Sequence, residues 1–311
     1  MVAHAICRQV VMRRNVGLVI AAILLAVPVS MQAWGMDVHR FLTKRALDGL
    51  PDDLKAFFAV RRDFTSEHAV DPDLWRVVGL KNEMGDEDPN HFLDLDGLGD
   101  PAPFKNVPRD WTAFAAKYGA DRAIKAGRLP WRSEEIYNKL VSTFQDIGRA
   151  AGPTYAPDNA RYLAAVLSHY IEDAHVPFHA TINHDGQLTN QRGIHGRFET
   201  DLVLRNLPAL KLSPVKIRPI GNVRDFVFDT LGESQSLVEG VLRADLKAAE
   251  GRDFYDAGYF ATFLRGARPI LEKRLSDAAS GVASVIVAAW EQAGKPKLPL
   301  EGPKPPVRIR R

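Results

Sequence analysis

Cysteine is almost absent from this chain. The single cysteine among 311 residues is Cys7, which lies in the first segment of the sequence. An intrachain disulfide and a zinc site built on several thiolates are therefore excluded. Any metal site must use nitrogen and oxygen donors, for which the chain offers 9 histidines and 38 acidic residues.

Long apolar runs are also scarce. The one such run covers residues 16–29 and is shorter than the ~20 residues that span a bilayer as a helix. Residues 1–33 combine this run with three arginines and no acidic residue, which is typical of a secretory signal peptide ending at Ala33. We therefore expect a secreted or periplasmic protein. An uncleaved segment that anchors the protein to a membrane is the alternative.

Neither sign of charge dominates. The chain has 41 Lys and Arg against 38 Asp and Glu, and three of the arginines lie in the predicted signal. Without the signal the chain is formally neutral, which removes the simple electrostatic argument for a nucleic-acid partner.

Alternating strand patterns are lacking, apart from a weak one at residues 215–220. Apolar residues instead recur with a helical period, and this predicts helices at 36–50, 110–118, 133–151, 159–175, 223–250 and 270–290. Loops are expected at 79–108, 181–193 and 208–222. With no linker or repeat, the pattern predicts one all-α domain over residues 34–294, followed by a proline-rich, basic and disordered tail over 295–311.

Two pairs of candidate ligands stand out. His169 and Asp173 are four residues apart in an apolar helical segment, so both side chains lie on one face. His195 and Glu199 repeat this spacing. Pro177 should end the first helix and leave His179 free to approach the same place.

A lone histidine and aspartate on an apolar helix is more often a satisfied core pair than a metal site. Two such pairs joined by a third histidine change that judgement, because several buried ionisable groups need a compensating charge. Zinc suits nitrogen and oxygen ligands of this kind better than magnesium or calcium.

The start of the predicted mature chain offers two more ligands. If cleavage follows Ala33, the free amine and carbonyl oxygen of Trp34 form a five-membered chelate. His39 follows in the first turn of a predicted helix.

The N-terminal tryptophan, the early histidine, H-Y-x-x-D-x-x-x-P-x-H-A from His169 and G-x-H-x-x-x-E from Gly193 together resemble one superfamily. It contains the bacterial zinc-dependent phospholipases C and the fungal single-strand nucleases. The resemblance implies a multi-helix fold of that type and nine ligands for three zinc ions. It adds Asp73 and His91 as ligands and Arg76 as a phosphate contact, with Asp71 as the alternative to Asp73.

The resemblance also implies how the ligands are shared. One zinc would be held by Asp73, His91, His169 and Asp173; the second by His179, His195 and Glu199; the third by Trp34, His39 and Asp173. A zinc-bound hydroxide would attack phosphorus in line, Asp73 would orient it or take its proton, and Arg76 would clamp a non-bridging oxygen.

The substrate is left open between a phospholipid head group and single-stranded nucleic acid. Glu199 and the HAT sequence after the helix break favour the phospholipase branch, whereas the spacing of Trp34 and His39 and the presence of Arg76 favour the nucleases. Trp75, Trp111 and Trp131 are the candidates for stacking on bases. A non-enzymatic zinc-binding protein is a hypothesis of another class, and no stable protein partner is inferred.

Other polar residues are interpreted more simply. His68, His175 and His184 are expected at the surface or behind the ligands, with His175 pointing away from His169. The acidic residues 86–100 fit no calcium loop and are interpreted as a solvated loop.

Overall fold

The computed structural model describes residues 35–77 and 86–300, which belong to one compact unit and form helices joined by turns and loops. No strand occurs within these ranges, so the described chain is all-α. The predicted signal, Trp34 and residues 301–311 lie outside them. The helices are α1 Met36–Asp48, α2 Asp52–Ala59, α3 Arg62–Glu67, α4 Asp71–Val77, α5 Trp111–Tyr118, α6 Ala120–Ala126, α7 Leu129–Gly148, α8 Ala156–Ala174, α9 Ile194–Gly196, α10 Leu202–Asn206, α11 Val223–Ala249 and α12 Ala257–Gln292.

Five of the six predicted helices occur within a few residues of their expected bounds, as α1, α5, α7, α8 and α11. Their apolar stripes are buried, as with Val38, Leu42 and Ala46 of α1. Side-chain caps fix some of the first turns: Asn222 accepts the amide of Asp225 at 2.9 Å at the start of α11.

The sixth predicted helix, α12, is longer than the apolar periodicity of residues 270–290 indicates. α12 begins at Ala257, well before residue 270, and continues through Pro269. Asp256 caps its first turn by accepting the amide of Tyr259 at 2.7 Å. The buried side chains of Phe260 and Phe263 extend its apolar face, and this packing outweighs the cost of an internal proline.

Four short helices, α2, α3, α4 and α6, were not predicted. Each has only six to eight residues. Helices of this length are unstable in isolation, so tertiary packing decides whether they form.

α8 is the central helix. Every residue from 164 to 181 is buried, and α8 packs against α1, α3, α7 and α12. From residue 164 onward α8 is enclosed on all sides and has no solvated face. Its polar residues must therefore find partners inside the protein.

The weak strand pattern at 215–220 belongs to an extended segment that lies along α12. Backbone amides of Ser213, Lys216 and Arg218 donate to the hydroxyls of serines spaced four residues apart on that helix, at 3.0–3.2 Å. Side chains of a helix thus take the place of a neighbouring strand and satisfy the backbone.

The beginning of the predicted tail packs against the domain. The indole of Trp290 donates to the carbonyl of Pro296 at 3.0 Å, and Leu298 is buried. Disorder beyond residue 300 stays a prediction. None of the helices in the described ranges has the length and apolar character needed to cross a membrane.

Two helical glycines should respond oppositely to alanine. A Cβ at Gly281 of α12 would lie 2.9 Å from His175 Cε1 and 3.3 Å from Ile171 Cγ2, both on the α8 side of the contact, whereas one at Gly232 of α11 meets no atom within 4 Å. Gly281→Ala is expected to lower the free energy of unfolding by ~1–3 kcal/mol through overpacking. Gly232→Ala should raise it by ~0.5–1 kcal/mol, because alanine costs less conformational entropy. Urea unfolding measures both, and changes of equal sign would contradict this packing of α8 on α12.

Candidate metal centre

α8 supplies two of the predicted ligands from its buried face. His169 Nε2 lies 3.2 Å from Asp173 Oδ2, one helical turn away, and both residues are fully buried. His169 Nδ1 is 2.9 Å from the carbonyl oxygen of Ala69. That contact requires a proton on Nδ1, so Nε2 of the neutral ring carries the lone pair that a metal would use.

The chain leaves α8 as predicted. α8 ends at Ala174, and residues Pro177–His179 form a single 3₁₀ turn. His179 Nδ1 hydrogen-bonds the carbonyl of His91, so two predicted ligands are linked through the backbone of one of them. His179 also brings its ring to 5.0 Å from that of His195, between centroids.

His91 follows a 3₁₀ turn at Asp88–Asn90. Its Nδ1 lies 3.0 Å from both Asp173 Oδ2 and His169 Nε2. His91, His169 and Asp173 therefore form a compact group in which three ligand atoms converge.

The structure separates the two candidate aspartates of α4. Asp73 is buried, with Oδ1 3.9 Å from both His91 Nδ1 and His169 Nε2. Asp71 instead contacts His68 Nδ1 at 2.8 Å. Of these two aspartates, only Asp73 lies beside the group of His91, His169 and Asp173, which we call the group on α8.

Arg76 lies one turn beyond Asp73. Its Nη1 is 3.3 Å from Asp73 Oδ1, and its Nε donates to Asp88 at 2.8 Å. The side chain is 23% exposed, so the guanidinium borders the buried group and still reaches solvent.

His39 approaches Asp173 from α1. Its Nε2 is 3.6 Å from Asp173 Oδ1, the oxygen opposite to the one near His91 and His169. The two oxygens of Asp173 thus face different histidines, which is the arrangement a bridging carboxylate requires.

His195 and Glu199 form the other pair. His195 Nε2 is 2.9 Å from Glu199 Oε2, and with His179 they make a separate group of three buried candidate ligands. Glu199 lies in a π-helical turn, Arg197–Asp201, between α9 and α10. Such wide turns are rare and are frequent at functional sites.

Trp34 lies outside the described residues, so its predicted role as a ligand stays a prediction. Gly35, the first described residue, is buried and donates its amide to Thr200 Oγ1 at 3.1 Å. Thr200 directly follows Glu199. Gly35 therefore ties the start of α1 to the π-helical turn.

Several ligand atoms lack a hydrogen bond. Within residues 35–77 and 86–300, the buried atoms His39 Nε2, Asp73 Oδ2, Asp173 Oδ1 and His179 Nε2 have no hydrogen-bond partner. Leaving a buried polar atom unsatisfied costs roughly 1–3 kcal/mol. A divalent cation would satisfy several of them together, so the donor set fits a metal of zinc's character.

The protonation states agree with this fit. Burial lowers the pKa of four imidazoles, to about 3 for His91 and about 4 for His195, and also for His39 and His179. These histidines are therefore neutral near pH 7, the form that binds metal.

The remaining groups carry charge. Burial alone would lower the pKa of His169, but the carboxylates of Asp173 and Asp73 outweigh it and raise the pKa to about 9. Burial likewise opposes ionisation of Asp173, but His169 and His179 hold its pKa well below the usual range. Burial raises the pKa of Asp73 to about 6.

Sequence reasoning missed the residues that orient the ligands. His39 Nδ1 contacts Glu172 Oε2 at 2.6 Å, and Thr43 donates to Glu172 Oε1 at 2.9 Å. Glu172 was detectable as an acidic residue beside Asp173 in an apolar helix. Carboxylates that hold a ligating histidine in this way are a regular part of metal sites.

The interpretation of residues 86–100 as a solvated loop is wrong for its start and for Asp94, where burial raises the pKa of the carboxyl to about 7. Glu87 accepts a hydrogen bond from the hydroxyl of Tyr170, and its Oε1 is 3.6 Å from His91 Nε2. Asp88 binds Arg76. The carboxylates look solvated in the sequence because their partners come from distant helices.

The other histidines lie outside the groups. His175 points away from His169 as predicted and is buried, with Nδ1 2.7 Å from the carbonyl oxygen of Ile171. A surface position is therefore excluded for it. His184 Nδ1 lies 3.4 Å from Gln187 Nε2 in the loop after His179.

No protein-family model matches this chain, and no curated protein sequence matches it.

Zinc content tests the ligand set. Protein with residues 1–33 removed should retain close to three zinc ions per chain after extensive dialysis, by elemental analysis. Chelation should lower the melting temperature, because a metal that binds only the native state stabilises it. Calcium alone, or no thermal shift on chelation, would contradict the site, and two zinc ions would remove the Trp34 site alone.

Metal-free protein should lose stability as the pH falls from about 7 to 5. The four imidazoles with lowered pKa values take up protons near about pH 6.5 only in the unfolded chain, so unfolding gains protons as the pH falls. The raised pKa values of Asp73, Asp94 and Glu172 oppose this trend with three groups, whereas the pKa values of His175 and His184 are also lowered and add to it. The contribution of His169 is already complete below about pH 6.5. Urea unfolding of chelated protein at stepped pH measures the trend, and stability that is constant or rises toward pH 5 would contradict it.

Proposed function

We propose that this protein is a secreted or periplasmic zinc-dependent hydrolase that cleaves phosphodiesters, of the phospholipase C type. The observation that carries the proposal is the convergence of eight predicted ligands, all buried, from α1, α4, α8, α9 and three turns. His169 belongs to two groups of three converging ligand atoms, one with His91 and Asp173 and one with His39 and Asp73. Both oxygens of Asp173 face histidines. This is a donor set for several cations close together.

Zinc bound there would lower the pKa of water and neutralise charge on phosphoester oxygens. Asp73 is placed to orient the attacking water or take its proton, because its Oδ1 lies 3.9 Å from both His91 Nδ1 and His169 Nε2. Arg76 is placed to clamp a phosphate oxygen, since it is partly exposed beside Asp73.

The surroundings favour a phospholipid head group over single-stranded nucleic acid. Trp75, Trp111 and Trp131 are all partly buried and pack against the core. Trp131 also donates to the carbonyl of Arg109 at 3.0 Å and meets Trp111 edge to face. Rings held in this way present little free face to an unpaired base.

A single-strand nuclease of the same superfamily remains the second candidate, supported by Arg76 beside Asp73. A non-enzymatic or signal-anchored zinc protein is the alternative of another class. N-terminal sequencing of the exported protein separates the anchored form, because a start at Trp34 requires cleavage after Ala33.

Three substitutions test the roles of the aspartates. Asp173→Asn should lose zinc together with activity, because its two oxygens face two sets of histidines. Asp73→Asn should lose more activity than zinc, since His91, His169 and Asp173 stay in place. Asp71→Asn is the matched control on the same helix and should keep both.

The assays use a chromogenic phosphodiester, phosphatidylcholine and single-stranded DNA, with zinc measured in parallel. Hydrolysis of lipid without DNA is the expected result, and the converse selects the nuclease. Wild-type activity in Asp173→Asn would overturn the assignment of the site. Zinc-loaded wild-type protein that is inert on all three substrates would favour a binding protein.

A further inference from the structure

A buried arginine lies between two candidate ligands. Arg197 is the first residue of the π-helical turn, two residues after His195 and two before Glu199, and its side chain is 6% exposed. Its Nη2 donates to Asp245 Oδ1 of α11 at 3.1 Å, and its Nε donates to the hydroxyl of Tyr259 of α12 at 2.9 Å. One side chain therefore ties the turn to both long C-terminal helices.

The same guanidinium holds the loop that precedes α9. Nη1 donates to the carbonyl of Arg192 at 2.7 Å, and Nη2 donates to that of Gln191 at 3.2 Å. Gly193 adopts φ +82°, and a Cβ there would lie 2.9 Å from Arg197 Nη1. A glycine is thus required by the backbone conformation and by the nearness of the guanidinium.

Asp245 accepts most of the hydrogen bonds in the network formed by Arg197, Asp245, Tyr259 and Gln191. It is buried and accepts hydrogen bonds from Arg197, from the Tyr259 hydroxyl and from Gln191 Nε2, the last at 2.8 Å. Tyr255 covers the guanidinium with its ring, 4.0 Å from Arg197 Cζ to the ring centroid. The network of Arg197, Asp245, Tyr259 and Gln191 is closed to solvent.

Stability alone is a weak explanation for such a network. A buried ion pair often contributes no more than well-packed apolar residues would. The turn itself has five residues, between helices of three and five residues, which are too short to be stable alone. External contacts must fix its geometry.

We infer that Arg197 and Asp245 are positioning residues for the metal group of His179, His195 and Glu199. This inference rests on the proposed function. Arg197, held by α11 and α12, keeps the π-helical turn in the form that places His195 Nε2 2.9 Å from Glu199 Oε2. Within the described part of the chain, no hydrogen bond or ion pair joins His91, His169 or Asp173 to this network, so that group should be independent of it.

The test is zinc affinity, measured by competition with a chromophoric chelator on the full chain without residues 1–33. Arg197→Met and Asp245→Asn should lower the affinity for one zinc ion by ~10- to 100-fold and leave the affinities for the others unchanged, as for other residues that orient ligands. Arg197→Lys should not rescue the affinity, because an ammonium cannot reproduce the forked contacts. Tyr259→Phe should give a smaller loss of affinity for the same zinc ion.

Arg161→Met is the matched control. Arg161 of α8 is also buried, and it donates to the carbonyl of Phe57 at 3.0 and 3.2 Å, away from every candidate ligand. Loss of the Arg161 side chain should lower the melting temperature without lowering the affinity for any zinc ion. If Arg197→Met fails to fold, Asp245→Asn and Tyr259→Phe decide the outcome.

Failure of the proposed function and failure of the positioning role give different results. Wild-type protein without zinc would overturn the proposed function and this inference with it. Wild-type protein that holds zinc, with unchanged affinities in all the network variants, would overturn the positioning role alone. An equal loss of affinity for every zinc ion, or a loss of affinity in Arg161→Met as well, would show that the network only stabilises the fold and does not position one metal group.

Discussion

Burial of ionisable side chains on α8 is the constraint on which the rest of the structure depends. His169, Glu172 and Asp173 have no exposed surface, and an uncompensated charge in such a place costs several kcal/mol. Glu172 is met by His39 and Thr43, and His169 and Asp173 are met by each other and by His91. The helix that builds the core is therefore also the one that requires a charged site inside it.

The fold meets this requirement with backbone carbonyls as well as side chains. Ala69 orients the ring of His169, and the carbonyl of His91 orients that of His179. Both carbonyls come from the part of the chain between α3 and α5. The segment before α8 thus contains predicted ligands and also sets the ring orientations of later ones.

The two halves of the site are supported differently. His169 and Asp173 lie on a 19-residue helix enclosed by neighbours, so their geometry follows from ordinary helix packing. His195 lies in the three-residue helix α9, and Glu199 lies in the π-helical turn that follows it, whose form depends on α11 and α12. The long C-terminal helices carry no predicted ligand, and their contact with Arg197 gives them a connection to the proposed chemistry.

The sequence by itself determined the all-α class, five of the helices and the candidate ligand pairs four residues apart, because helical periodicity and i, i+4 spacing are local properties. Only the tertiary structure shows that Asp73, and not Asp71, lies beside His91 and His169, since the spacing to His91 is compatible with either. It also decided the roles of Glu172, Glu87 and Arg197, whose partners are distant in the chain. The short helices and the early start of α12 were decided in the same way, because packing against distant residues outweighs weak local preference.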